Sequence, residues 1–202
     1  MLFKNEKQFY ASHQLFAGVD EAGRGPLAGP VVVASVILGK DVHFEGLNDS
    51  KKLSEKKREI LFEQIITKAK EFHVEIVPRE IIDEKNILQA TLWGMEESIL
   101  KLKNKPTLCL IDGNSMPKRI ADISETVVKG DGKYASIAAA SILAKVTRDR
   151  IMQKLHLEFP EYNFAKNKGY PTKEHLEAIR KHGITPHHRR SYKPVQQFTF
   201  NF

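Results

Sequence analysis

Residues 18–38 read GVDEAGRGPLAGPVVVASVIL. An apolar start leads into a centre rich in glycine and proline, and residues 31–38 are mostly β-branched or small apolar side chains. β-branched residues favour strands, whereas glycine and proline favour turns, so this stretch predicts two strands joined by a turn. A glycine-rich loop that binds a dinucleotide opens a helix, but here the chain enters a strand. The stretch therefore predicts part of a sheet and not a dinucleotide site.

Two adjacent carboxylates, Asp20 and Glu21, lie where the first of these strands is predicted to end. Side chains at successive strand positions point to opposite faces, so both can bind one ion only where the backbone begins to turn. Gly23 and Gly25 allow main-chain amides to approach a ligand, and the Arg24 guanidinium beside them suits a phosphate or a sugar hydroxyl. The alternative interpretation is a surface hairpin whose charged side chains lie in water.

The composition limits the class of protein. A chain of 202 residues makes one domain, or one domain with a C-terminal extension, and its core does not depend on disulfides. The single cysteine, Cys109, lies in an apolar stretch and is expected to be a core residue rather than a nucleophile. Without a leader or a long apolar run, the protein is expected to be cytoplasmic. The net charge of +7 makes nucleic acid a leading candidate partner.

The predicted elements alternate between strand and helix, as in an α/β domain. Ser54 is a candidate N-cap for a helix that runs to about residue 72, and residues 74–77 are expected to form a short strand. Apolar residues recur at spacings of three and four from Leu88 to Leu102, which predicts an amphipathic helix. The other predicted elements are strands at residues 108–111 and 126–129 and a helix, rich in small side chains, at residues 135–145.

Carboxylates follow these predicted strands. Asp112 comes directly after an apolar strand, and Asp131 lies in a Gly-Asp-Gly segment just before the helix rich in small residues. Ligands gather beyond the carboxyl ends of the strands in open α/β sheets, so we expect Asp20, Glu21 and Asp112 to converge at one edge. For Asp112 the alternative is an Asx turn without a role in chemistry.

Asp149 competes with Asp131 as a fourth carboxylate, although pairing with neighbouring arginines on a solvated helix face explains it more simply. Three or four carboxylates in a basic protein suit two divalent cations that bind a scissile phosphate, activate water and stabilise the leaving oxygen. Oxygen ligands favour Mg²⁺ or Mn²⁺, whereas zinc calls for a histidine or cysteine cluster that His187 and His188 do not complete. Phosphodiester hydrolysis follows as a hypothesis.

The chain resembles a known family, bacterial ribonuclease HII, the type 2 ribonuclease H. Seven motifs in the family's order carry the resemblance: VDEAGRGPL (19–27), LNDSKKL (47–53), IDGN (111–114), KGD (129–131), SIAAASILAKVTRD (136–149), KGYPT (168–172) and HRRSY (188–192). The resemblance spans nearly the whole chain. It implies an α/β fold, an RNase H-like mixed β-sheet flanked by helices, as a single catalytic domain over residues 1–202 with a C-terminal helical extension from about residue 155.

The resemblance also implies roles for individual residues. The metal-binding catalytic carboxylates would be Asp20, Glu21, Asp112 and Asp131, which favours Asp131 over Asp149. The substrate-binding residues would be Gly23, Arg24 and Gly25, which contact the ribose 2′-hydroxyl and the adjacent phosphate, Tyr170, which stacks on the sugar past the RNA-to-DNA junction, and Lys51 and Lys52, which hold phosphates. From the residues alone, Tyr170 is an ordinary surface tyrosine in a Gly-Tyr-Pro turn, and the two lysines are solvated side chains before a helix.

The implied activity is hydrolysis of the RNA strand of RNA–DNA hybrids and nicking 5′ to ribonucleotides embedded in duplex DNA, which leaves 5′-phosphate and 3′-hydroxyl ends. Such an enzyme would act in ribonucleotide excision repair and DNA replication. Two alternatives stay open: a non-catalytic nucleic-acid binding module, which would not need the carboxylates, and a DNA nuclease or integrase on the same fold, which would not need the Gly-Arg-Gly turn beside Tyr170.

The last residues, QFTFNF from Gln197 to Phe202, faintly resemble a peptide that binds a sliding clamp. They are equally consistent with an edge strand or with a tail folded on the domain. A monomer is the expected oligomeric state.

Overall fold

The computed structural model describes residues 2–12 and 15–198. Its centre is a five-stranded mixed sheet in the order β3-β2-β1-β4-β5. The strands are β1 (Phe16–Ala22), β2 (Val31–Ile37), β3 (Glu71–Val77), β4 (Leu108–Asp112) and β5 (Ser124–Val127). Because β1, β4 and β5 are parallel to one another, their carboxyl ends lie at the same edge of the sheet. The α/β fold with a mixed sheet is confirmed.

Helices cover both faces of the sheet. They are α1 (Leu2–Ala11), α2 (Glu55–Lys68), α3 (Arg79–Lys85), α4 (Ile87–Leu100), α5 (Ala135–Glu158), α6 (Phe164–Asn167), α7 (Lys173–His182) and α8 (Lys193–Gln196). Short 3-10 turns form at Ser50–Lys52, Lys118–Ile123, Gly130–Gly132 and Pro160–Tyr162. No helix within the described ranges has the length and apolar character needed to cross a membrane.

Helix α5 packs directly on β1, as its small side chains predict. A Cβ atom on Gly18 would lie 2.2 Å from the backbone carbon of Ser136, so the helix and strand backbones are almost in contact. On this face, α2 and α5 bury one apolar cluster against the β2 side chains Val32 and Ala34. On the opposite face, α4 packs against Val31 and Val33. The sheet is therefore buried on both faces. This packing fixes the positions of α5 and of the strand ends.

Residues after α5 form a further apolar cluster. Helices α6, α7 and α8 pack around Leu27 and Ala28, which belong to the turn between β1 and β2. Met152, near the end of α5, completes the contact. The C-terminal helices thus support the glycine-rich turn that the N-terminal strands carry.

Several element boundaries differ from the predicted ones. Ser54 does cap α2, since its side chain accepts a hydrogen bond from the Lys57 amide, but the helix ends at Lys68 and not near residue 72. The residues that follow pair with β2 from Glu71 onward, so β3 is longer than the predicted strand at 74–77. Pairing along a whole strand outweighs local helix propensity.

Other differences arise from turns and from length. Lys129 has a left-handed backbone (φ 57°) that begins the Gly130–Gly132 turn, so β5 ends at Val127 and not at residue 129. Helix α5 continues to Glu158, well past residue 145. The amphipathic helix predicted from Leu88 is α4, which begins one residue earlier because the side chain of Asn86 caps it.

Candidate active site

Asp20 and Asp112 lie side by side at the carboxyl ends of two neighbouring strands. Val19 of β1 pairs with Ile111 of β4, and each aspartate is the next residue along its strand. A third carboxylate, Asp131, lies in the Gly130–Gly132 turn before α5 and is 8% exposed. The Gly130 amide donates a 2.6 Å hydrogen bond to Oδ1 of Asp112, which fastens this turn to β4. We call Asp20, Glu21, Asp112 and Asp131 the carboxylate edge.

The carboxylates of the carboxylate edge lie close enough together to repel one another. Burial raises the pKa of Asp20 well above its usual value, and the nearby carboxylates of Glu21 and Asp112 raise it further. Burial also raises the pKa of Glu21, although Arg24 opposes this shift, and the pKa of Asp131 is raised in the same way. The carboxylates of Asp20, Glu21 and Asp131 are thus less stable as anions here than in water, and a bound cation would reverse this cost.

Lys51 is a cation among these acids. Burial acts to lower the pKa of Lys51, but nearby carboxylates outweigh burial and raise it; they belong to Asp20, Asp131, Asp49 and Asp112. Asp49, which we did not single out in the sequence, accepts a 2.9 Å hydrogen bond from the Lys51 amide and interacts directly with Asp131. The signal for Asp49 was its place in the LNDSKKL motif. Lys52 differs from Lys51, since 67% of its side chain is exposed and its amine lies 3.9 Å from Asp49.

The residues of the carboxylate edge fit a divalent metal by their chemistry. They offer only oxygen donors, which Mg²⁺ and Mn²⁺ prefer, and their mutual repulsion calls for positive charge. Within residues 2–12 and 15–198, no three carboxylate, imidazole or thiolate groups are close enough together to hold one ion unaided. Mg²⁺ does not require three protein ligands, because it is usually held by one or two carboxylates together with water and substrate phosphates.

The glycine turn next to the carboxylate edge is tightly constrained. We call residues 23–25 the recognition loop. Gly23 has a φ of +98°, and a Cβ atom there would lie 2.0 Å from Nε of Arg148, so only glycine fits. Gly25, unlike Gly23, has no positive φ. Gly25 instead allows a close approach, because its Cβ would lie 3.3 Å from the Tyr170 ring.

A cleft of about 290 Å³ joins the recognition loop to the carboxylate edge. Its lining includes Glu21, Gly23, Arg24, Gly25, Lys51 and Tyr170. Arg24 reaches back to Glu21, with Nη1 at 3.5 Å from Oε1, and Tyr170 is 45% exposed. A second hollow of about 550 Å³ is lined by Asp112, Asp131, Lys51 and Lys52, among others. Lys51 lines both hollows, so the sequence-predicted residues lie along one continuous surface.

Two buried arginines hold the glycine-rich turn: Arg189 binds the recognition loop, and Arg148 binds the residues just after it. Both lie in motifs that carry the family resemblance, but reasoning from the sequence assigned a role to neither. Arg189 donates to the backbone carbonyls of Gly23 (2.6 Å), Arg24 (2.9 Å) and Gly29 (3.0 Å). Arg148 donates in the same way to Ala28, Pro30 and Lys168. Because buried arginine side chains bind these carbonyls, the loop keeps its shape without a ligand.

Asp149 is not on a solvated face with neighbouring arginines, contrary to the simpler sequence interpretation. It is 5% exposed, and Lys145 donates to it over 2.6 Å, with Arg58 of α2 at 3.9 Å. The neighbouring Arg148 turns away to bind carbonyls. Asp149 therefore belongs to a buried ion pair between helices and not to the carboxylate edge.

Cys109 is a buried core residue, as expected, and burial raises the pKa of its thiol to about 12. The segment proposed to bind a clamp lies largely outside the described residues, because residues 199–202 are not among them.

Comparisons with known proteins agree on one family. The family model for ribonuclease HII matches residues 17–195. Ribonuclease HII of Endomicrobium trichonymphae is 56% identical over 195 residues, which cover 96% of this chain and 93% of that protein. Ribonuclease HII of Shewanella halifaxensis is 54% identical and covers 90% of this chain and 89% of its own length.

Solved structures agree with the sequence comparisons. The crystal structure of ribonuclease H2 from Pyrococcus horikoshii superposes with a TM-score of 0.77 at 30% identity, covering 91% of this chain and 96% of that one. Ribonuclease HII from Archaeoglobus fulgidus, solved in complex with PCNA, superposes with a TM-score of 0.74 at 31% identity, covering 89% and 95%. On the strength of its sequence and its fold, the chain belongs to the ribonuclease HII family.

Proposed function

We propose that this member of the ribonuclease HII family, a metal-dependent endoribonuclease that cleaves RNA in RNA–DNA hybrids, also nicks duplex DNA on the 5′ side of embedded ribonucleotides. The products are 5′-phosphate and 3′-hydroxyl ends. The observation that carries the proposal is the pair of adjoining hollows, both lined by Lys51, that connect the recognition loop and Tyr170 to Glu21, Asp112 and Asp131 of the carboxylate edge. One nucleic-acid strand could then meet the acids and the recognition loop at the same time.

Asp20, Glu21, Asp112 and Asp131 would hold Mg²⁺ or Mn²⁺. Bound there, such ions would supply positive charge to the scissile phosphate and the leaving oxygen and would make an attacking water more acidic. The protein's own contribution is placement. Strands β1 and β4 hold two of the carboxylates in register, and the hydrogen bond from Gly130 to Asp112 sets the distance to the third. No side chain of the protein is needed as the general base.

The recognition loop would distinguish RNA from DNA. The carbonyls of Gly23 and Arg24 are bound to Arg189. The loop therefore needs no rearrangement when its amides and the Arg24 guanidinium meet a ribose 2′-hydroxyl and the adjacent phosphate. The half-exposed ring of Tyr170, beside Gly25, would stack on the sugar just past the RNA-to-DNA junction.

Lys51 and Lys52 would bind phosphates of the substrate strand. Lys51 has the larger role because it lies among the carboxylates, where it partly neutralises them before an ion binds. Lys52 extends into solvent and contributes mainly through long-range attraction to the duplex.

We infer that residues 1–202 form one catalytic domain whose C-terminal helices, from about residue 155, support recognition. The apolar packing of α7 and α8 around Leu27 and Ala28 supports this inference. The protein would act as a monomer. Residues 197–202 would bind a sliding clamp, which the complex of an archaeal relative with PCNA supports. Deleting these residues should abolish clamp binding while cleavage of short duplexes stays unchanged; clamp binding that persists would disprove this assignment.

The test of the proposed function is cleavage of a labelled DNA duplex that contains one ribonucleotide. An all-DNA duplex and a continuous RNA–DNA hybrid are compared with it, in Mg²⁺, in Mn²⁺ and in chelator. We expect a metal-dependent nick 5′ to the ribonucleotide and no cleavage of all-DNA duplex. Asp20→Asn should abolish the nick, whereas Asp122→Asn, at an exposed site away from the cleft, should not.

Three outcomes would contradict the proposal. Cleavage of the all-DNA duplex would favour a DNA nuclease, and binding of duplexes without any cleavage would favour a binding module. Cleavage of the continuous hybrid alone would refute nicking at single ribonucleotides.

A further inference from the structure

Two histidines that the proposed chemistry does not use are completely buried next to Tyr170. His175, in the first turn of α7, and His188, in the turn after it, are both 0% exposed. Their Nε2 atoms lie 3.1 Å apart. The rings of Tyr162 and Phe164 enclose them, with centroids 5.3 Å from His188 and 5.4 Å from His175 respectively. A pair of this kind, shielded from water, has few possible arrangements of its protons.

The hydrogen bonds select one arrangement. The Thr185 amide donates to Nδ1 of His188 over 2.9 Å, so this nitrogen carries no proton. The neutral His188 ring therefore has its proton on Nε2 and donates to Nε2 of His175. His175 must then carry its proton on Nδ1, from which it donates to the carbonyl oxygen of Tyr170 over 2.9 Å. In the reverse direction, His188 would have no ring proton at all.

This chain of hydrogen bonds joins two segments that flank the glycine-rich turn. On one side, the Leu27 amide donates to the carbonyl of Gly169, the residue before Tyr170. On the other side, the Arg189 amide donates to the Leu27 carbonyl, and Ala28 pairs with His188. The His175–His188 contact links the two outer segments directly, so the backbone around Tyr170 is held from two directions.

The surroundings keep both rings neutral. Burial, together with the neighbouring His175 and His187, lowers the pKa of His188 to about 3, although the hydrogen bond from Thr185 opposes this shift. Burial also lowers the pKa of His175. The titratable groups facing the pair are the Tyr162 phenol, which donates to the Gly183 carbonyl, and His187, whose ring packs against Phe159. A proton added to His175 would place two N–H groups head to head and break the link.

We propose that the His175–His188 pair positions Tyr170, holding the turn that carries this ring beside the recognition loop through one fixed, neutral arrangement of protons. This inference rests on the proposed role of Tyr170 in binding the sugar at the RNA-to-DNA junction. His175 and His188 touch no substrate, so they are positioning residues and act only through Tyr170.

A double-mutant cycle on the full-length protein tests this role. His175→Leu removes the bond to Tyr170 and the bond to His188, whereas His175→Asn keeps an N–H donor near the Tyr170 carbonyl. We expect His175→Leu to lower kcat/KM on the single-ribonucleotide duplex by about tenfold to 100-fold, mainly through KM. His175→Asn should recover most of this loss, and His182→Leu, at an exposed position of the same helix, should match the wild type.

The cycle separates positioning from general support of the fold. In a Tyr170→Ala background, His175→Leu should cause no further loss, because its effect passes through the missing ring. An additive loss in that background would overturn the inference, as would equal losses for the Asn and Leu variants. If the wild type fails to nick the duplex, the proposed function fails first, so the two failures are distinguishable.

A second measurement does not depend on activity or on stability of a variant. The ¹⁵N chemical shifts of the wild-type histidine rings report which nitrogen carries the proton. We expect the Nδ1–H tautomer for His175 and the Nε2–H tautomer for His188, unchanged from pH 5.5 to 8. The opposite tautomers, or titration of either ring in that range, would overturn the inference.

Discussion

The carboxylate edge and the recognition loop lie along one surface but are stabilised in opposite ways. At the carboxylate edge, buried acids repel one another, and Lys51 is a cation placed among them. In the recognition loop, Arg189 binds the backbone carbonyls of Gly23 and Arg24, and Arg148 binds those of Ala28 and Pro30 just after it, so the loop keeps its shape without a ligand. The carboxylate edge therefore carries a repulsion that a bound cation would relieve, whereas the protein alone holds the recognition loop in shape. The two regions should therefore respond differently to mutation.

The largest expected effect is at the carboxylate edge. Asp20→Asn should lower kcat by about three orders of magnitude while duplex binding changes little, because the lost interactions act on charge in the transition state. In chelator, the variant should melt at or above the wild-type temperature, since it removes a buried charge beside Glu21 and Asp112. Steady-state kinetics and thermal melts check both. A clear loss of stability in chelator would contradict the comparison.

Replacement of Arg189, which holds the recognition loop, should lower the stability of the protein, unlike Asp20→Asn. Arg189→Met removes the side-chain donor from the carbonyls of Gly23 and Gly29, and one of two donors from the Arg24 carbonyl, which Tyr192 also binds. This loss should cost about 3 kcal/mol of unfolding free energy. Urea denaturation measures it. The exposed Arg190→Met variant is the matched control and should change stability by less than about 0.5 kcal/mol. Similar losses in both variants would show that Arg189 does not have this special role.

A smaller difference in stability is expected between alanine substitutions at two glycines, one in the recognition loop and one in the turn that carries Asp131. Gly23→Ala combines a φ of +98° with a clash against Arg148, and should destabilise the protein by about 1–3 kcal/mol. Gly132→Ala, in the turn that carries Asp131, has no heavy atom within 4 Å of the new Cβ and no positive φ, so it should be nearly neutral. Thermal denaturation of both variants tests the difference. Equal losses of stability in the two variants would contradict the claim that the backbone at Gly23 is the more tightly constrained.

Alanine substitutions at the adjacent Lys51 and Lys52 should have smaller and unequal effects on activity. Lys51→Ala should lower kcat/KM by about tenfold, because this cation lies among the carboxylates. Lys52→Ala should lower it by less than about threefold, and should reduce the salt dependence of duplex binding by about one phosphate contact. Binding titrations over a range of salt concentrations measure the second effect. A larger catalytic loss for Lys52 would reverse the assigned ranking.

The smallest effect concerns Glu6 of α1, a buried carboxylate outside the cleft. Its Oε1 accepts hydrogen bonds from the amide and hydroxyl of Ser136 at the start of α5, and burial raises its pKa. Because the folded state then holds its proton more tightly than the unfolded state, wild-type stability should fall as pH rises above the ordinary pKa of glutamate. Glu6→Gln should remove this part of the pH dependence. Thermal melts of both proteins at several pH values test this. If the melting temperatures of the wild type and the variant change with pH in parallel, Glu6 does not contribute to the pH dependence.

Local patterns predicted the strands and the acids at their ends, because β-propensity, glycine turns and helix caps act over a few residues. Asp20, Asp112 and the Ser54 cap could be read from the sequence for this reason. Helix α3 was missed, since its seven residues are too few to show a periodic pattern.

Long-range features could not be read in this way. Hydropathy places arginine in water, but Arg148 and Arg189 are buried because they find carbonyl acceptors far away in the chain. The same holds for the His175–His188 pair, and for Asp149, whose partner Arg58 lies on another helix. Buried polar residues of this kind depend on tertiary structure, which no local window contains.

The bonds of Arg189 also affect the order of events during synthesis of the protein. Its donors reach carbonyls 160 to 166 residues earlier in the chain. Contacts this distant form late, after the intervening chain has closed. All four residues of the carboxylate edge leave the ribosome before Arg189 does, so a nascent chain contains these acids while the recognition loop still lacks the donor that binds its carbonyls. The loop can reach its final shape only after residue 189 has been synthesised.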